Sequence, residues 1–309
     1  MKLLRGLKNI PDFSQGTVAT IGNFDGVHRG HQALLARLRF QADRMQLPSV
    51  VLLFEPQPSE FFRGSQAPAR LATLREKLEA LKQCNIDYVY CLKFNKKLAL
   101  MEAEKFARHY FFSLLKVKYL LVGEDFRFGR QRQGDIHLIQ QMTKDYDAWV
   151  ETFPEVSIEG ERVSSTKIRA ALANGYLTQA SLLLGRTYSL CGRIIKGDGR
   201  GRQWGIPTAN VRTQRLTLPL KGVFCIQVKR GNKWLKGVAN LGSRPTVDGT
   251  KNVLEVHLFD FDENLYGEIL QVFFLHKLRD EIKFSSVDVL IKQIHEDIDA
   301  ARAFFAKGC

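Results

Sequence analysis

The chain has 309 residues, with 46 Lys and Arg against 32 Asp and Glu, a net charge of +14 and 45% hydrophobic residues. That is ample apolar material for buried cores, which excludes a disordered polycation, and at roughly 150 residues per domain the length predicts two domains. No apolar run approaches the ~18 residues needed to cross a bilayer, and the start MKLLRGLKNIPDF does not resemble a secretory signal.

Five scattered cysteines (Cys84, Cys91, Cys191, Cys225, Cys309), never spaced as CxxC, argue against a disulfide framework or a structural zinc site. The expectation is a reduced cytoplasmic protein with no membrane partner.

From residue 17 to about 153, short apolar runs alternate with amphipathic stretches. The runs at 17–22, 50–54, 88–92, 118–123 and 148–153 read as strands, being short and rich in β-branched and aromatic residues. Between them GHQALLARLRFQADRM, TLREKLEALKQ, EAEKFARHYFFSLL and DIHLIQQMTKD place apolar residues at three- and four-residue intervals, as a helix with one buried face does. This alternation predicts a Rossmann-like α/β domain, a parallel sheet covered on both faces. STKIRAALANG and LTQASLLLG follow as two short helices, each ending at a glycine suited to a C-cap (Gly175, Gly185).

After Gly185 the texture changes. TYSLCGRII, GVFCIQVKR, KWLKGVANLG, VLEVHLFDF and GEILQVFFLHKL are strand-like with glycine-bearing turns, and only SSVDVLIKQIHEDIDAARAFF near the end has a helical period. These residues predict a small antiparallel β-barrel with a terminal α-helix. The domain boundary is placed between 184 and 185, giving domains 1–184 and 185–309.

Charge is unevenly spread. Residues 186–251 hold 14 basic residues and only Asp198 and Asp248 as acids, a net +12, whereas 252–309 is net −5. The block fits a polyanion, which by charge alone is either nucleic acid or a nucleotide polyphosphate.

GNFDGVHRGHQALLARL runs from a strand directly into a helix. At such a turn the helix N-terminus aims backbone N–H groups at a bound phosphate, and Gly22, Gly26 and Gly30 allow close approach. His28 and His31, three apart on the first helical turn, can face one ligand. Nucleotidyl transfer needs chiefly donors that stabilise charge on the phosphates, and two imidazoles beside a helix N-terminus supply them. The bland alternative is a capping or surface pair. A metal site is weaker, because the spacing is not HExxH and no third ligand is apparent.

In the second half KGDGRGRQWG interleaves Gly197, Gly199 and Gly201 with Lys196, Arg200 and Arg202, a loop able to wrap phosphates. PTAN follows at once. Thr208 and Asn210 alternate as on a strand, and their neutral oxygens suit a Mg²⁺ that is otherwise held by ATP phosphates. Glu255 in VLEVHLF faces away from Leu254 and Val256, and a carboxylate there can accept the proton of a primary alcohol during phosphoryl transfer. A plain turn and a solvated strand residue are the ordinary alternatives.

These segments resemble a known family. GNFDGVHRGH carries the HxGH signature of the nucleotidyltransferase superfamily. Its form here is similar to the FMN adenylyltransferase module of bacterial bifunctional riboflavin kinase/FAD synthetases, as are LLFEPQPSEFF, LLVGEDFRFGRQRQGD and VSSTKIRAAL. GRTYSLCGRIIKGDGRGRQWGIPTANV, GVANLGSRPTV and LEVHLFDFDENLYG resemble the riboflavin kinase module. The resemblance spans roughly 17–175 and 185–300. It implies phosphorylation of riboflavin by ATP to FMN in the C-terminal domain, then transfer of AMP from ATP to FMN in the N-terminal domain.

Under that resemblance His28, His31, Arg169 and Glu255 are catalytic. Gly22, Asn23, Phe24, Gly26, Gly30, Ser164, Ser165 and Thr166 hold phosphates in the first domain, and Gly197, Gly199, Arg200, Gly201 and Arg202 in the second. The hydroxyls of 164–166 also make a plausible helix N-cap, with the guanidinium fork of Arg169 one turn on; an ordinary cap with a solvated arginine is the plain alternative. Thr208 and Asn210 serve Mg-ATP, and Glu255 is the base.

Asp125, Phe126, Phe128 and Arg244 are expected near flavin. Asp125 stands where the family often has Asn, and Phe126 and Phe128 can stack on the ring or sit in the core. Trp204 departs from the usual sequence before PTAN. Mg²⁺ is the expected cofactor, and riboflavin, FMN and ATP are the expected partners, with no nucleic acid. Self-association is compatible with these residues but not dictated by them. The rival readings are a nucleotidyltransferase fused to a basic RNA-binding barrel and a non-catalytic flavin sensor.

Overall fold

A computed structural model describes residues 1–6, 10–197, 199–246 and 249–307, with the side chains of 200, 243–246 and 249–251 outside the described set. Two compact units emerge, Met1–Pro68 with Leu74–Ser164, and Ala69–Thr73 with Ser165–Cys309.

The first unit is an all-parallel sheet of β1 (Lys2–Arg5), β2 (Thr17–Ile21), β3 (Ser49–Glu55), β4 (Tyr88–Lys93), β5 (Val117–Gly123) and β6 (Trp149–Phe153), in the order β1-β4-β3-β2-β5-β6. All five residues of β2 are buried, as a strand covered on both faces requires.

Helices α1 (Arg29–Met45), α2 (Pro58–Arg63), α3 (Leu74–Gln83), α4 (Lys96–Ala99), α5 (Ala103–Phe106) and α6 (Ile136–Thr143) complete the unit, with a two-stranded hairpin β7 (Ser157–Ile158) and β8 (Glu161–Arg162). Leu35 and Leu38 of α1 and Leu81 of α3 pack with Val18, Val51 and Val89 on one face of the sheet. Phe106, Phe111 and Ile139 pack with Ala19, Val50 and Leu120 on the other.

The run EAEKFARHYFFSLL is not one α-helix. After α5 it winds as a π-helix over Ala107–Leu114, and the Leu115 N–H donates to the Tyr110 carbonyl five residues back at 3.2 Å. The wider turn lets Phe106 and Phe111, five apart, meet edge to face at 5.5 Å.

From β2 the chain steps through β3 to β4 on one side, then returns to β5 on the other side of β2. The carboxyl end of β2 is therefore the switch point where an open parallel sheet offers a crevice. The residues from 22 to 28 occupy it.

The second unit opens with α7 (Ser165–Ala173) and α8 (Leu177–Leu184), the latter capped by Gly185 at φ +75°. A closed antiparallel barrel follows, built from β9 (Ser189–Ile195), β10 (Ala209–Arg212), β11 (Gly222–Arg230), β12 (Lys233–Thr246), β13 (Gly249–Leu258) and β14 (Ile269–Arg279), in the order β10-β13-β12-β11-β14-β9. A short helix α9 (Arg200–Gln203) precedes β10, and α10 (Val287–Ala306) ends the chain.

Val211, Phe224, Ile226, Leu241, Leu254, Val256 and Phe274 fill the interior and are each at most 4% exposed. Outside, Ala301 and Phe305 of α10 pack on Cys225, Val238 and Phe259. The Arg279 guanidinium forks onto the nearly buried Asp297 carboxylate, Nε to Oδ1 at 2.9 Å and Nη2 to Oδ2 at 2.8 Å.

The division by contacts falls at 164/165, twenty residues before the change of texture at 185. The reason is that α7 and α8 pack on each other and α8 packs on β14. Residues 69–73 join the same unit because its side chains grip their backbone. Tyr188 Oη donates to the Leu71 carbonyl at 3.2 Å, and Arg215 Nη2 to the same oxygen at 3.4 Å.

Candidate active sites

In the first unit the switch-point turn carries the two histidines. His28 is the N-cap of α1 rather than part of its first turn, with φ −72° and ψ 172°, and its Nδ1 accepts the His31 N–H at 3.3 Å. The capping alternative is thus realised together with the pairing. The two rings stack with centroids 3.6 Å apart and planes 16° apart.

Gly30 makes this possible, since a Cβ there would lie 3.2 Å from the His28 ring atoms Cε1 and Nδ1. Burial holds His31 well below the ordinary imidazole value, and the charges of His28 and Lys77 add to that shift. His31 is consequently a neutral donor at pH 7, and its buried Nδ1 has no hydrogen-bond partner. A neutral imidazole with an unused polar atom at a helix N-terminus is suited to polarising a phosphate.

Asp125, the departure from the family's amide, pairs with Arg162, which also reaches Glu155 at 2.6 Å. The guanidinium offsets the extra negative charge. Phe126 and Phe128 stack on each other at 5.1 Å. Phe128 is a core residue, 6% exposed and in ring contact with Phe106 and Phe111, so only Phe126 retains accessible ring area.

Ser164 is the last residue of the first unit, whereas Ser165, Thr166 and Arg169 lie on α7 in the second. There Arg169 Nε donates to the Ala69 carbonyl at 2.6 Å.

The second site lies on the outer wall of the barrel. Asn210 is directly opposite Glu255 across β10 and β13, and Glu255 is directly opposite Asn240 across β13 and β12. Facing residues on antiparallel strands share one side of the sheet with Cβ atoms about 5 Å apart. Three polar side chains therefore form a row, while Leu254 and Val256 point into the barrel.

The glycine loop lies over this row. A Cβ on Gly197 would fall 2.1 Å from Asn210 Nδ2, and one on Gly201 would fall 2.4 Å from the Ile206 carbonyl and 3.2 Å from Thr208 Oγ1. At Gly201 the Ile206 carbonyl occupies the space of a Cβ, and at Gly197 the Asn210 amide does.

Thr208, Asn210, Glu255 and Asn240 line a cavity of about 260 Å³, together with Gly199, Gly201 and Trp204. Ile282, Phe284, Leu290 and Ile294 add apolar lining, beside the Arg279–Asp297 pair. A small polar row against an apolar wall can bind a planar heterocycle and hold its polar tail at the carboxylate. Among the described residues no cluster of three or more His, Cys, Asp or Glu could hold a metal. The neutral oxygens of Thr208 and Asn210 fit a hard cation that keeps most of its ligands from phosphate and water.

Arg202 is exposed. The side chains of Arg200 and Arg244 lie outside the described residues.

The sequence reading missed Asn240 and His257. His257 is two residues beyond Glu255, lines the same cavity, and has its Nδ1 2.8 Å from the Pro207 carbonyl. Only strand register reveals either residue, because each is an ordinary polar residue in a strand.

Comparison with known proteins gives a consistent result. Residues 10–167 match the family described as FAD synthetase, and residues 184–305 match riboflavin kinase. A protein of Haemophilus influenzae named bifunctional riboflavin kinase/FMN adenylyltransferase is 46% identical over 306 residues, covering 99% of both chains. A protein of the same name from Escherichia coli K12 is 47% identical over 307 residues, covering 99% of this chain and 98% of that one. A crystal structure described as a macrolide-efflux protein from Streptococcus pneumoniae superposes with a TM-score of 0.81 at 29% identity, covering 97% of this chain and 98% of that one. Among the described residues of this chain, no helix is long and apolar enough to cross a membrane.

Proposed function

Because the chain belongs to the bifunctional riboflavin kinase/FMN adenylyltransferase family, we propose how its own residues divide the two reactions. The enzyme phosphorylates riboflavin to FMN and adenylylates FMN to FAD, with riboflavin, FMN and ATP as substrates. The RNA-binding barrel is not favoured, since residues 184–305 match riboflavin kinase throughout.

For the kinase step the reading rests on one observation, the direct opposition of Asn210 and Glu255 beneath the glycine loop. Glu255 takes the proton of the riboflavin 5′-hydroxyl as its oxygen bonds to the γ-phosphorus of ATP and the bond to ADP breaks. Thr208 and Asn210 would hold Mg²⁺, which when bound offsets phosphate charge. The loop N–H groups of Gly197 and of 199–202 cradle the phosphates.

In the first unit, an FMN phosphate oxygen bonds to the α-phosphorus of ATP and pyrophosphate leaves. His28 and His31 stabilise the charge at that phosphorus, with the backbone of 22–30 around it. Ser164, Ser165 and Thr166 keep the phosphate-binding role, and Arg169 the catalytic role, that the family resemblance implies. Asp125 and Phe126 face flavin, while Phe128 supports Phe126 from the core.

Both triphosphates account for the basic block at 186–251 and the glycine turns without nucleic acid, and ATP as substrate fits a cytoplasmic enzyme. The test is chromatography of the products that the purified chain makes from riboflavin, ATP and Mg²⁺. FMN followed by FAD is expected, and FMN without FAD would overturn the assignment to the first unit.

A further inference from the structure

Helix α3 carries a lysine on its buried face. Leu74, Leu78 and Leu81 pack on the core at helical spacing, and Lys77 lies among them with 0% exposure. Its Nζ donates to the Asn23 carbonyl at 2.5 Å.

Burying an ammonium is costly even with partners, and replacing such a group by an apolar side chain of similar volume is often neutral or stabilising. Stability alone therefore does not explain a lysine here. What it holds does.

The turn it grips contains two non-glycine residues in the left-handed region, Phe24 at φ +46° and Val27 at φ +41°, with Gly26 at +83° between them. For a β-branched residue such as Val27 this conformation is strained, and strain of this kind persists only where the surroundings over-determine it. Phe24 is also in ring contact with His31 at 5.0 Å, so a shift of the turn displaces the imidazole. The Lys77 charge is felt at His31 as well.

We propose that Lys77 is a positioning residue for adenylyl transfer. Through the Asn23 carbonyl it locks the strained turn that sets the His28–His31 pair. The proposal rests on the placement of adenylyl transfer at those histidines.

The test uses the full chain with FMN, ATP and Mg²⁺, reading kcat, KM and melting temperature for Lys77→Met and Lys77→Arg, with His31→Ala as reference. Lys77→Met should lower kcat about 100-fold, the scale of a misplaced catalytic group, with KM for both substrates within about threefold. Its melting temperature should stay within a few degrees of wild type. Lys77→Arg, which keeps donor and charge, should return kcat to within about tenfold of wild type.

A Lys77→Met kcat within about threefold of wild type overturns the proposal, as does a loss that Lys77→Arg leaves unrelieved. If Lys77→Met does not melt cooperatively, Lys77→Gln is read against the same thresholds. Should His31→Ala form FAD at the wild-type rate, the placement of the chemistry fails and the Lys77 role with it. A Lys77 failure beside an inactive His31→Ala sinks only the lysine.

Discussion

Asn210 and Glu255 face each other across β10 and β13, one residue held by the glycine loop above it and the other by a strand whose alternate residues are buried in the barrel. The Asn210 amide and the Glu255 carboxylate are thus placed by strand pairing rather than by loop conformation. Sites built on paired strands hold their geometry more tightly than sites on loops.

Removing the base should separate the two activities. Glu255→Gln keeps the shape and hydrogen-bonding capacity of the side chain but cannot take a proton. Riboflavin phosphorylation should fall by about 10² to 10⁴, the usual worth of a general base. FMN supplied directly should still become FAD, as chromatography of the two reactions run apart would show. Equal loss of both would contradict separate sites.

The glycine loop gives a steric prediction. Gly197→Ala puts a methyl where the Asn210 amide now lies, so either the loop or the amide must move. A displacement of about 1 Å at a catalytic group costs on the order of 100-fold. Kinase turnover should drop by that scale, with a higher magnesium requirement in a Mg²⁺ titration, and FAD formation from FMN should be unaffected.

The paired histidines predict the converse. His28→Ala with His31→Ala should cut FAD formation by at least about 100-fold while FMN accumulates from riboflavin. Chelating magnesium should stop both steps in the unmodified enzyme, since each moves a phosphoryl or adenylyl group whose charge the ion offsets. Retained FAD synthesis in the double variant would move the chemistry elsewhere.

Acidification should reveal His31 through stability. Its folded pKa lies below the ordinary 6.5 because of burial and the neighbouring positive charges. Below that ordinary value the unfolded chain binds a proton that the folded chain refuses, so stability falls as pH drops from about 6.5. His31→Asn removes this penalty. Denaturant midpoints measured at pH 7.5 and 5.5 should converge in the variant relative to wild type. An unchanged difference would mean that His31 titrates normally.

Much of the architecture was legible because apolar runs of strand length report strands buried on both faces, as in β2 and β3. What escaped has specific causes. β1 buries only Leu4, so it has no apolar run to see. The π-helix at 107–114 keeps the same spacing of aromatics that an α-helix would show over so short a span. Lys77 reads as a solvated helix residue until the fold shows what lies beneath it, and Asn240 gains meaning only from its register with Glu255. The glycine–PTAN and HxGH segments were readable because their chemistry is local in sequence.

Along β13 the division of labour follows parity. Even positions 254, 256 and 258 fill the barrel, and odd positions 255 and 257 look outward into the cavity. Fold maintenance and turnover therefore share a single pentapeptide without sharing a side chain. Ligand preference can be adjusted at position 257 with little penalty to the solidity of the scaffold, and the even positions can be exchanged among hydrocarbons without displacing Glu255.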